Sequence, residues 1–411
     1  MKLVYTVFSI FFIICLSTTY CYASYSNFVW STLSPETVEV ANNLTEEYTN
    51  DTSNPLNLDC ESAILIEQHT GTVLYSYNVH EQLRPASVTK LMSILLIMEA
   101  IEAGKISYDT QIPCSEHAAS MGGSQIWLDT TETLTVDEML KAICVVSAND
   151  CVVAMAEYIS GSEDAFVEMM NMRAKELGMN DTCFKNCHGI DEDGHVTSSY
   201  DISLMSAELL NKYPQITEYT TIWNDSLRDG KSELINTNKL VHNYSGCTGL
   251  KTGSTSLALF NLSASAERDG LSLITVVMKA PTSAARFTSA STLLNFGFNN
   301  FEYKRLASQN DIIQSVPINK GVNSTINVIC EKDVGALISK GNDINIEQNI
   351  NIPNYIDAPI KYGDVIGTVA FKLKDEIIAK CNLLADNNVD KLGFISMEKL
   401  IFSKWFNLLR Y

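Results

Sequence analysis

A serine and a lysine stand three residues apart in the segment RPASVTKLM, which begins at Arg84. In a helix, Ser87 and Lys90 would lie on one face, one turn apart, so that the amine could touch the hydroxyl. The apolar residues that follow, as far as Gly104, predict a helix that is buried on all sides. Burial lowers the pKa of a lysine, and a neutral amine can act as the base for a serine nucleophile. The pair therefore indicates an activated serine.

A bare Ser-x-x-Lys spacing is weak support by itself, because serine often caps a helix and lysine often extends from one into solvent. Ser396 and Lys399 repeat the spacing near the end of the sequence, in a tail that shows no sign of a site. The hypothesis for Ser87 therefore needs independent support from other parts of the chain.

Two further polar groups provide that support. Ser147 and Asn149 stand in a short break between two predicted helices, which would aim their side chains into a cleft. The triplet Lys251-Thr252-Gly253 occurs once and opens a predicted strand, where a glycine lets a ligand's backbone approach closely. Each group alone is commonly a cap or a turn. In this order and at this spacing after Ser87, they form the signature of serine enzymes that penicillin acylates.

The elements that must position these groups predict an α+β fold. Thr135 and Glu138 predict a capping box at the start of the helix before Ser147. Asn149 or Asp150 is predicted to cap the helix after it, at 151–159. The other predicted elements are a hairpin around Gly71, helices at 165–177, 199–211 and 284–296, and strands at 256–266 and 271–278.

The pattern changes after about residue 300. Five short strand-like runs follow, with turn residues between them, and predict a small all-β domain. These runs are 312–318, 324–329, 344–350, 364–372 and 376–384. The last residues, 396–411, place a wide apolar arc opposite a narrow polar one. That arrangement favours a helix in a membrane interface over a helix docked on the β domain.

Length, charge and the N-terminal segment narrow the function further. The 411 residues suffice for two or three domains, and a formal net charge of −19 argues against nucleic acid as a partner. Residues 1–23 combine a lysine, an apolar core and a small-x-small cleavage site, as secretory signals do, and 24–57 have the composition of a flexible arm. We therefore expect an exported protein at the outer face of the cytoplasmic membrane, in the cell envelope.

Cysteine and histidine give no clear sign of a metal or of a His-based catalytic site. Nine cysteines lie beyond the predicted signal, without a C-x-x-C pair, which favours small buried side chains and leaves one disulfide open. Cys183, Cys187 and His188 fit no zinc spacing well. His188 and His195 share the loop NCHGIDEDGH without a Ser-His-Asp arrangement, so a structural role for this loop is favoured.

The chain resembles the low-molecular-mass penicillin-binding proteins that act as D-alanyl-D-alanine carboxypeptidases, the S11 serine peptidases. The resemblance spans roughly residues 58–411 and rests on the segments RPASVTKLM, VVSAND, FKNCHGIDEDGH, NTNKL, GLKTGST, ASAERDG and APIKYGDVIG. It implies a penicillin-binding/β-lactamase-like transpeptidase domain at 58–298, in which helices flank an antiparallel sheet. A β domain at 299–393 and an amphipathic membrane-associated helix at 394–411 would follow. The resemblance implies neither a cofactor nor a metal.

The resemblance also implies a role for each residue of the first two motifs. Ser87 would be the acyl-ester nucleophile that attacks the peptide bond between the two terminal D-alanines of a peptidoglycan pentapeptide stem. Lys90 would be its general base. Ser147 would relay the proton to the leaving amine, and Asn149 would hold the substrate amide. β-Lactam antibiotics would acylate the same serine as inhibitors.

The third motif would bind the substrate. Lys251 and Thr252 would hold the terminal carboxylate, as a cation and a hydroxyl donor should. Gly253 lies in the same substrate-binding segment. The backbone N–H groups of Ser87 and Ser254 would form the oxyanion hole.

Two departures from the family pattern lie at the rim of the expected site. Ser254 stands where the family often has histidine or a large residue, and Leu259 stands where it commonly has glycine. Both bear on substrate preference and deacylation rate more than on the class of reaction.

Two other functions fit the same motifs. A class A serine β-lactamase needs a glutamate for its deacylating water, and Glu176 with Asn180 has the bare E-x-x-x-N spacing. However, Gly178 predicts the end of a helix there, which makes Glu176 a surface helix residue. A catalytically idle binding protein of the envelope would also keep the motifs if its cleft were blocked.

Overall fold

The computed structural model describes residues 54–341, 345–373 and 376–393, together with Glu398. The predicted signal peptide, nearly all of the predicted arm and, apart from Glu398, the predicted C-terminal helix lie outside these residues. Those predictions and the predicted domain boundaries stay predictions. Within the described ranges, no helix is both long enough and apolar enough to cross a membrane.

Helices make up much of residues 54–300. Two 3-10 turns occur in this range, at Ala86–Thr89 and Pro214–Ile216. The α-helices, numbered α1 to α9, are Lys90–Glu102, Glu116–Ala119, Val136–Val145, Asn149–Ser160, Glu163–Glu176, Ser199–Lys212, Thr217–Thr220, Leu240–Asn243 and Ser283–Asn300. The predicted long helices are confirmed as α1, α3 to α6 and α9, whereas the three four-residue helices were not predicted.

The strands before residue 301 form one five-stranded sheet and two two-stranded sheets, and a separate set of strands follows them. Strands β1 to β9 are Ser62–Glu67, Val73–Tyr77, Gln111–Pro113, Thr133–Thr135, Asn224–Leu227, Ser232–Ile235, Cys247–Thr255, Leu259–Arg268 and Leu271–Ala280. Strands β10 to β17 are Phe301–Ala307, Ile312–Asn319, Thr325–Cys330, Val334–Ser339, Ile346–Asn351, Ile356–Asp357, Val365–Leu373 and Glu376–Ala385.

The main sheet has five strands in the order β2-β1-β9-β8-β7, and all neighbours are antiparallel. Successive residues of a strand point to opposite faces, and β1 shows this directly. Ile64 and Ile66 pack into the core that contains α1, whereas Ala63 and Leu65 pack into the core that contains Leu293 of α9. Helices therefore cover both faces of the sheet, and the predicted α+β architecture is confirmed.

The segment that carries Ser87 and Lys90 differs in one respect from the prediction. Residues Ala86–Thr89 form a 3-10 turn, and the α-helix starts only at Lys90. Residues i and i+3 eclipse each other in such a turn, so Ser87 and Lys90 still share a side. All residues from Lys90 to Met98 are buried, as the apolar pattern predicted.

The break between α3 and α4 also shows one confirmed and one wrong prediction. The capping box of Thr135 and Glu138 is present at the start of α3. At the start of α4, however, the cap position belongs to Ala148, and no side chain caps the helix. The prediction that Asn149 or Asp150 caps α4 is wrong, because both side chains bond to other parts of the chain.

The described residues between 301 and 393 form an all-β domain, as predicted. It contains a six-stranded sheet in the order β14-β16-β17-β12-β11-β15 and a two-stranded sheet of β10 and β13. The five predicted runs correspond to five of these strands, but β10, β13 and β15 were missed. Strand β10, FEYKRLA, is mostly half-exposed or exposed and is joined to β13 by backbone pairing. It therefore lacks the buried apolar alternation that marks a strand in sequence.

Strand β7 lies directly against the 3-10 turn that precedes α1. A Cβ atom added to Gly253 would lie 2.8 Å from the backbone nitrogen of Ser87 and 2.9 Å from the carbonyl oxygen of Pro85. Real Cβ atoms do not approach backbone atoms so closely. The absence of a side chain at Gly253 therefore makes room for the chain's own backbone. The sequence had suggested that it makes room for the backbone of a ligand.

We expect Gly253→Ala to lower the free energy of unfolding by about 1–3 kcal/mol, because the added methyl group must push β7 away from the turn. Urea denaturation of the full chain measures this change. Gly393→Ala is the matched control, since a Cβ atom at Gly393 would meet nothing within 4 Å. Equal stability of both variants and the wild type would contradict the packing described here.

Candidate active site

The amine of Lys90 lies at the centre of the site. Its Nζ is 3.0 Å from Ser87 Oγ, 2.6 Å from Asn149 Oδ1 and 2.7 Å from the carbonyl oxygen of His188. A neutral amine has two N–H bonds and one lone pair. The two carbonyl oxygens can accept the N–H groups, which leaves the lone pair for the hydroxyl proton of Ser87. The predicted contact between Ser87 and Lys90 is therefore present, in the geometry that a general base needs.

The surroundings of Lys90 favour its neutral form. The side chain is fully buried, and burial lowers the pKa of its amine well below the ordinary value. The nearby ammonium group of Lys251 lowers this pKa further. The buried Asp150 and two buried thiols act in the opposite direction without reversing the shift.

Asn149 links the base to the loop between α2 and β4. Its Oδ1 accepts a hydrogen bond from Lys90, and its Nδ2 donates one to the carbonyl oxygen of Gly122 at 2.6 Å. An amide nitrogen carries two hydrogens, so one remains for a further acceptor. Gly123 lies so close that an added Cβ atom would be 2.9 Å from Asn149 Nδ2.

Ser147 has an unusual backbone and an unpaired hydroxyl. Its φ is +66°, in the left-handed region that residues other than glycine seldom adopt. The residue is buried, and within the described ranges its Oγ has no hydrogen-bond partner. A buried unpaired hydroxyl is unfavourable unless another group arrives to pair with it.

Lys251 and Thr252 lie on β7, beside the base. Lys251 is fully buried and donates to the carbonyl oxygen of Thr252 at 3.0 Å. Burial lowers the pKa of Lys251 to about 7, and the charge of Arg286 contributes in the same direction. Thr252 Oγ1 donates to Thr237 Oγ1 at 2.6 Å. A substrate carboxylate in this place can accept the hydrogen bond of the Thr252 hydroxyl and favours the charged form of the Lys251 amine.

Two residues near β7 were missed by sequence reasoning. Arg286 of α9 donates to the carbonyl oxygens of Gly253 and Asn261, at 3.3 and 3.1 Å, and lies against the ring of Phe287. Asn261 donates from Nδ2 to the carbonyl oxygen of Arg84 at 2.8 Å. Together they fix the third motif and the segment just before Ser87.

The loop NCHGIDEDGH supports the same turn from the other side. His195 Nδ1 accepts from the backbone N–H of Lys185 at 3.0 Å, so its Nε2 carries the proton and donates to Thr89 Oγ1 at 2.8 Å. Thr89 in turn donates to the carbonyl oxygen of Ala86, at 2.8 Å. Burial lowers the pKa of His195 to about 4, which keeps this network neutral. The predicted structural role of the loop is confirmed.

The two departures from the family pattern take different positions. Ser254 is exposed at the end of the motif. Leu259 adopts a φ of +54°, which a glycine adopts more readily.

Glu176 is an exposed residue of α5, with 65% of its side chain accessible, and pairs with Arg173. Its predicted position on a helix surface is confirmed.

The cysteines take no visible part in this chemistry. All nine cysteines beyond the predicted signal lie within the described ranges, and all are free thiols. Six are buried and three are half-buried, as small apolar side chains are. Within the same ranges, no group of three or more His, Cys, Asp and Glu side chains is arranged to hold a metal ion.

Comparison with known proteins assigns the chain to a family. The family model described as D-alanyl-D-alanine carboxypeptidase, Peptidase S11, matches residues 48–282. The model described as penicillin-binding protein 5, C-terminal domain, matches residues 301–391. The chain is 43% identical to D-alanyl-D-alanine carboxypeptidase DacF of Bacillus subtilis strain 168 over 351 aligned residues. These residues are 84% of this chain and 90% of the relative.

Solved structures give the same result. Penicillin-binding protein 5 from Haemophilus influenzae matches with a TM-score of 0.69 and 29% identity, over 82% of this chain and 100% of that chain. Penicillin-binding protein D2 from Listeria monocytogenes, in its ampicillin-bound form, matches with a TM-score of 0.55 and 30% identity, over 60% of this chain and 100% of that chain. The chain therefore belongs to the S11 family of D-alanyl-D-alanine carboxypeptidases, which are penicillin-binding serine hydrolases.

Proposed function

We propose that this chain removes the terminal D-alanine from peptidoglycan pentapeptide stems through an acyl-enzyme on Ser87, and that penicillin acylates the same hydroxyl. The observation that carries the proposal is the buried amine of Lys90, held by two carbonyl oxygens at 3.0 Å from Ser87 Oγ. Its lowered pKa supports a neutral base at physiological pH.

Acylation begins when Ser87 Oγ attacks the carbonyl carbon of the penultimate D-alanine and its proton moves to Lys90 Nζ. The carbonyl oxygen gains negative charge, which the backbone N–H groups of Ser87 and Ser254 stabilise. The peptide bond then breaks, Ser147 gives its hydroxyl proton to the nitrogen of the departing D-alanine, and Lys90 passes to Ser147 the proton that it took from Ser87, which leaves the amine neutral again. The unpaired Oγ of Ser147 supports this role, because a substrate nitrogen would give it the partner that it lacks.

Two contacts position the substrate. The remaining N–H of Asn149 donates to the amide of the stem on the acyl side of the broken bond. Lys251 and Thr252 bind the terminal carboxylate, as a charge-assisted pair of donors. The burial of Lys251 supports its role in binding the carboxylate, since a buried amine with a pKa of about 7 regains its charge when a carboxylate binds beside it.

Deacylation releases the shortened stem. A water molecule attacks the ester carbonyl and gives a proton to the neutral amine of Lys90, which then passes it to Ser87 Oγ as the ester bond breaks, so that the serine hydroxyl and the neutral amine are both restored. A β-lactamase would need a second base for fast deacylation of penicillin. Glu176 does not support that function, because it is an exposed residue of α5. An idle binding protein is not favoured either, since the base, the nucleophile and the carboxylate-binding lysine lie together.

The family acts on peptidoglycan, and this implies a location in the cell envelope. We propose more specifically that residues 1–23 direct export and that the helix predicted at 394–411 holds the enzyme on the outer face of the cytoplasmic membrane. The support is the sequence pattern of those two segments.

Labelled penicillin provides the first test. We expect the wild-type full chain to form one stable covalent adduct and to release D-alanine from a peptide that ends in D-Ala-D-Ala. Ser87→Ala should form no adduct and lose more than about a thousandfold in rate, because the nucleophile is missing. Intact-mass analysis and a D-alanine assay measure both results.

Ser396→Ala is the control for this test, since it removes the serine of the other Ser-x-x-Lys spacing and should behave as the wild type does. An adduct that is hydrolysed quickly would favour a β-lactamase. A folded wild-type protein without any adduct would favour an idle binding protein.

The second test uses pH. We expect the KM for a D-Ala-D-Ala peptide to rise above about pH 7, by up to tenfold per pH unit, because free Lys251 loses its charge there and binding must restore it. Steady-state rates between pH 6 and 9.5 measure this, and kcat should change less than KM.

Lys251→Gln should have a high KM at every pH. Lys279→Gln, which removes a partly exposed lysine that pairs with Glu61, should keep the wild-type profile. Equal KM values for the wild type at pH 6.5 and pH 9 would contradict the role proposed for Lys251.

A further inference from the structure

The general base of the proposed function relies on a loop for one of its hydrogen bonds. Lys90 Nζ donates to the carbonyl oxygen of His188 at 2.7 Å. His188 lies within residues 184–191, which form neither a helix nor a strand. Its carbonyl oxygen is therefore placed by contacts from other parts of the chain, because no ladder of backbone hydrogen bonds fixes it.

A carboxylate supplies several of those contacts. Glu163 is the first residue of α5, and only 15% of its side chain is exposed. Its Oε1 accepts hydrogen bonds from the backbone N–H of Cys187 at 3.1 Å and from the thiol of Cys187 at 3.2 Å. His188 Nε2 lies 3.4 Å from the same oxygen, and His117 Nε2 lies 2.9 Å from Oε2. Glu163 therefore contacts both His188 and the residue before it.

The hydrogen atoms of these partners suit an ionised carboxylate. The Nδ1 of His188 accepts from the backbone N–H of Ile190 at 3.1 Å, so the hydrogen of the neutral ring is on Nε2, the atom near Glu163. Burial lowers the pKa of His188 to about 4, which keeps its ring neutral. Burial and the nearby carboxylate raise the pKa of Cys187 well above its ordinary value, so its thiol keeps a hydrogen to donate.

Four donors thus meet the two oxygens of Glu163, since His117 can only donate to an ionised carboxylate. Such a group has about four acceptor sites, so its whole hydrogen-bonding capacity is used. Burial acts to raise the pKa of Glu163, but the hydrogen bonds from His117 and Cys187 outweigh it and lower the pKa, so that the group stays ionised. The surroundings of this side chain are therefore built for a charged carboxylate.

The start of the helix does not explain this arrangement. An acidic residue in the first turn commonly stabilises a helix through its dipole. In α5, Ser162 Oγ already caps the helix by accepting from the N–H of Ala165, and Asp164 provides another acidic residue in the first turn. Asp164 is exposed, whereas the side chain of Glu163 is directed toward the loop. Burying a carboxylate is costly, which indicates a role beyond the helix.

The same loop is also held from α1, the helix of the base. Ser93 Oγ, one turn after Lys90, donates to the carbonyl oxygen of Cys187 at 2.6 Å. Cys187 is thus fixed at its carbonyl by α1 and at its N–H by Glu163. The next carbonyl oxygen along the chain, that of His188, is the one that meets Lys90. Loss of the carboxylate would release one of the two attachments and shift this acceptor.

We propose that Glu163 is a positioning residue for the general base. It fixes the carbonyl oxygen of His188 against Lys90 and keeps that amine buried, without contacting the substrate. This inference rests on the proposed function, because that function makes Lys90 the base. The titratable groups around the amine are Lys251, Cys187, Asp150, Cys151 and His188. Glu163 is not among the groups whose charge acts most on the amine, so it acts through position.

Replacement of the carboxylate tests the inference. We expect Glu163→Ala to lower kcat for a D-Ala-D-Ala peptide about ten- to a hundredfold, because the base is displaced in both acylation and deacylation. KM should change less than about twofold, since Lys251 and Thr252 still bind the terminal carboxylate. Steady-state rates of D-alanine release measure both constants. Asp164→Asn is the matched control, because it removes a carboxylate from the same turn of α5 and should keep the wild-type kcat.

The pH dependence separates a displaced base from a weakened fold. Without Glu163, the loop loosens and water reaches Lys90, so the pKa of the amine rises toward its ordinary value. More of the base is then charged at neutral pH. We expect the acidic limb of the kcat profile to move upward by about one pH unit, so that the loss in Glu163→Ala is larger at pH 6.5 than at pH 9. Thermal melts show which variants are folded at the assay temperature.

A second variant keeps the test decisive where Glu163→Ala does not fold. Glu163→Asp retains the charge at the start of α5 but is shorter by one methylene group, which draws the carboxylate away from Cys187. We expect the same direction of change in kcat and in the pH profile. A wild-type kcat profile in every folded variant of Glu163 would overturn the inference.

The other failures are distinguishable. An equal loss of kcat in Glu163→Ala and Asp164→Asn would show an effect on the helix, and an equal loss at pH 6.5 and pH 9 would show a general effect on the fold. Either result would overturn this inference alone, while the wild type remains active. A wild-type chain that forms no penicillin adduct and releases no D-alanine would overturn the proposed function and this inference with it.

Discussion

The rest of the site depends on one constraint, which is that the amine of Lys90 is buried away from solvent. Lys90 is fully buried at the start of α1, and its hydrogen bonds go to oxygen atoms from three separate parts of the chain. Each of those oxygens has its own support. Asn149 is held by the loop at Gly122, and the loop at His188 packs on the turn before α1, where an added Cβ atom at Gly189 would overlap Ala86. The position and the lowered pKa of the Lys90 amine therefore depend on the packing of the whole catalytic domain.

The sequence predicted this site well wherever chemistry forces the type and order of residues. A serine and a lysine one helical turn apart, and Lys-Thr-Gly at a strand, were sufficient to select Ser87 and Lys90, which are in contact, and Lys251, whose charge acts on Lys90. The α+β layout followed from continuous apolar runs in α1 and β9, which are buried over most of their length, and from the loose apolar alternation of β8.

The remaining features depend on contacts between distant residues, which local patterns do not encode. Asn149 resembles a helix cap in sequence, yet its side chain bonds to Lys90, and Ala148 occupies the cap position. Arg286 is separated from Gly253 by 33 residues, and only the fold shows that it supports that strand. Strand β10 is held by backbone pairing, which leaves no apolar signal.

The burial of Lys251 links the stability of the empty enzyme to pH. Its pKa is about 7 in the folded chain and returns toward the ordinary 10.5 when the chain unfolds. Between these values the unfolded state binds the extra proton, so the free energy of unfolding rises with pH across this window. Below about pH 7 the folded enzyme must hold a buried charge. A bound carboxylate neutralises that charge, so carboxylate binding and protonation of Lys251 favour each other in the folded form.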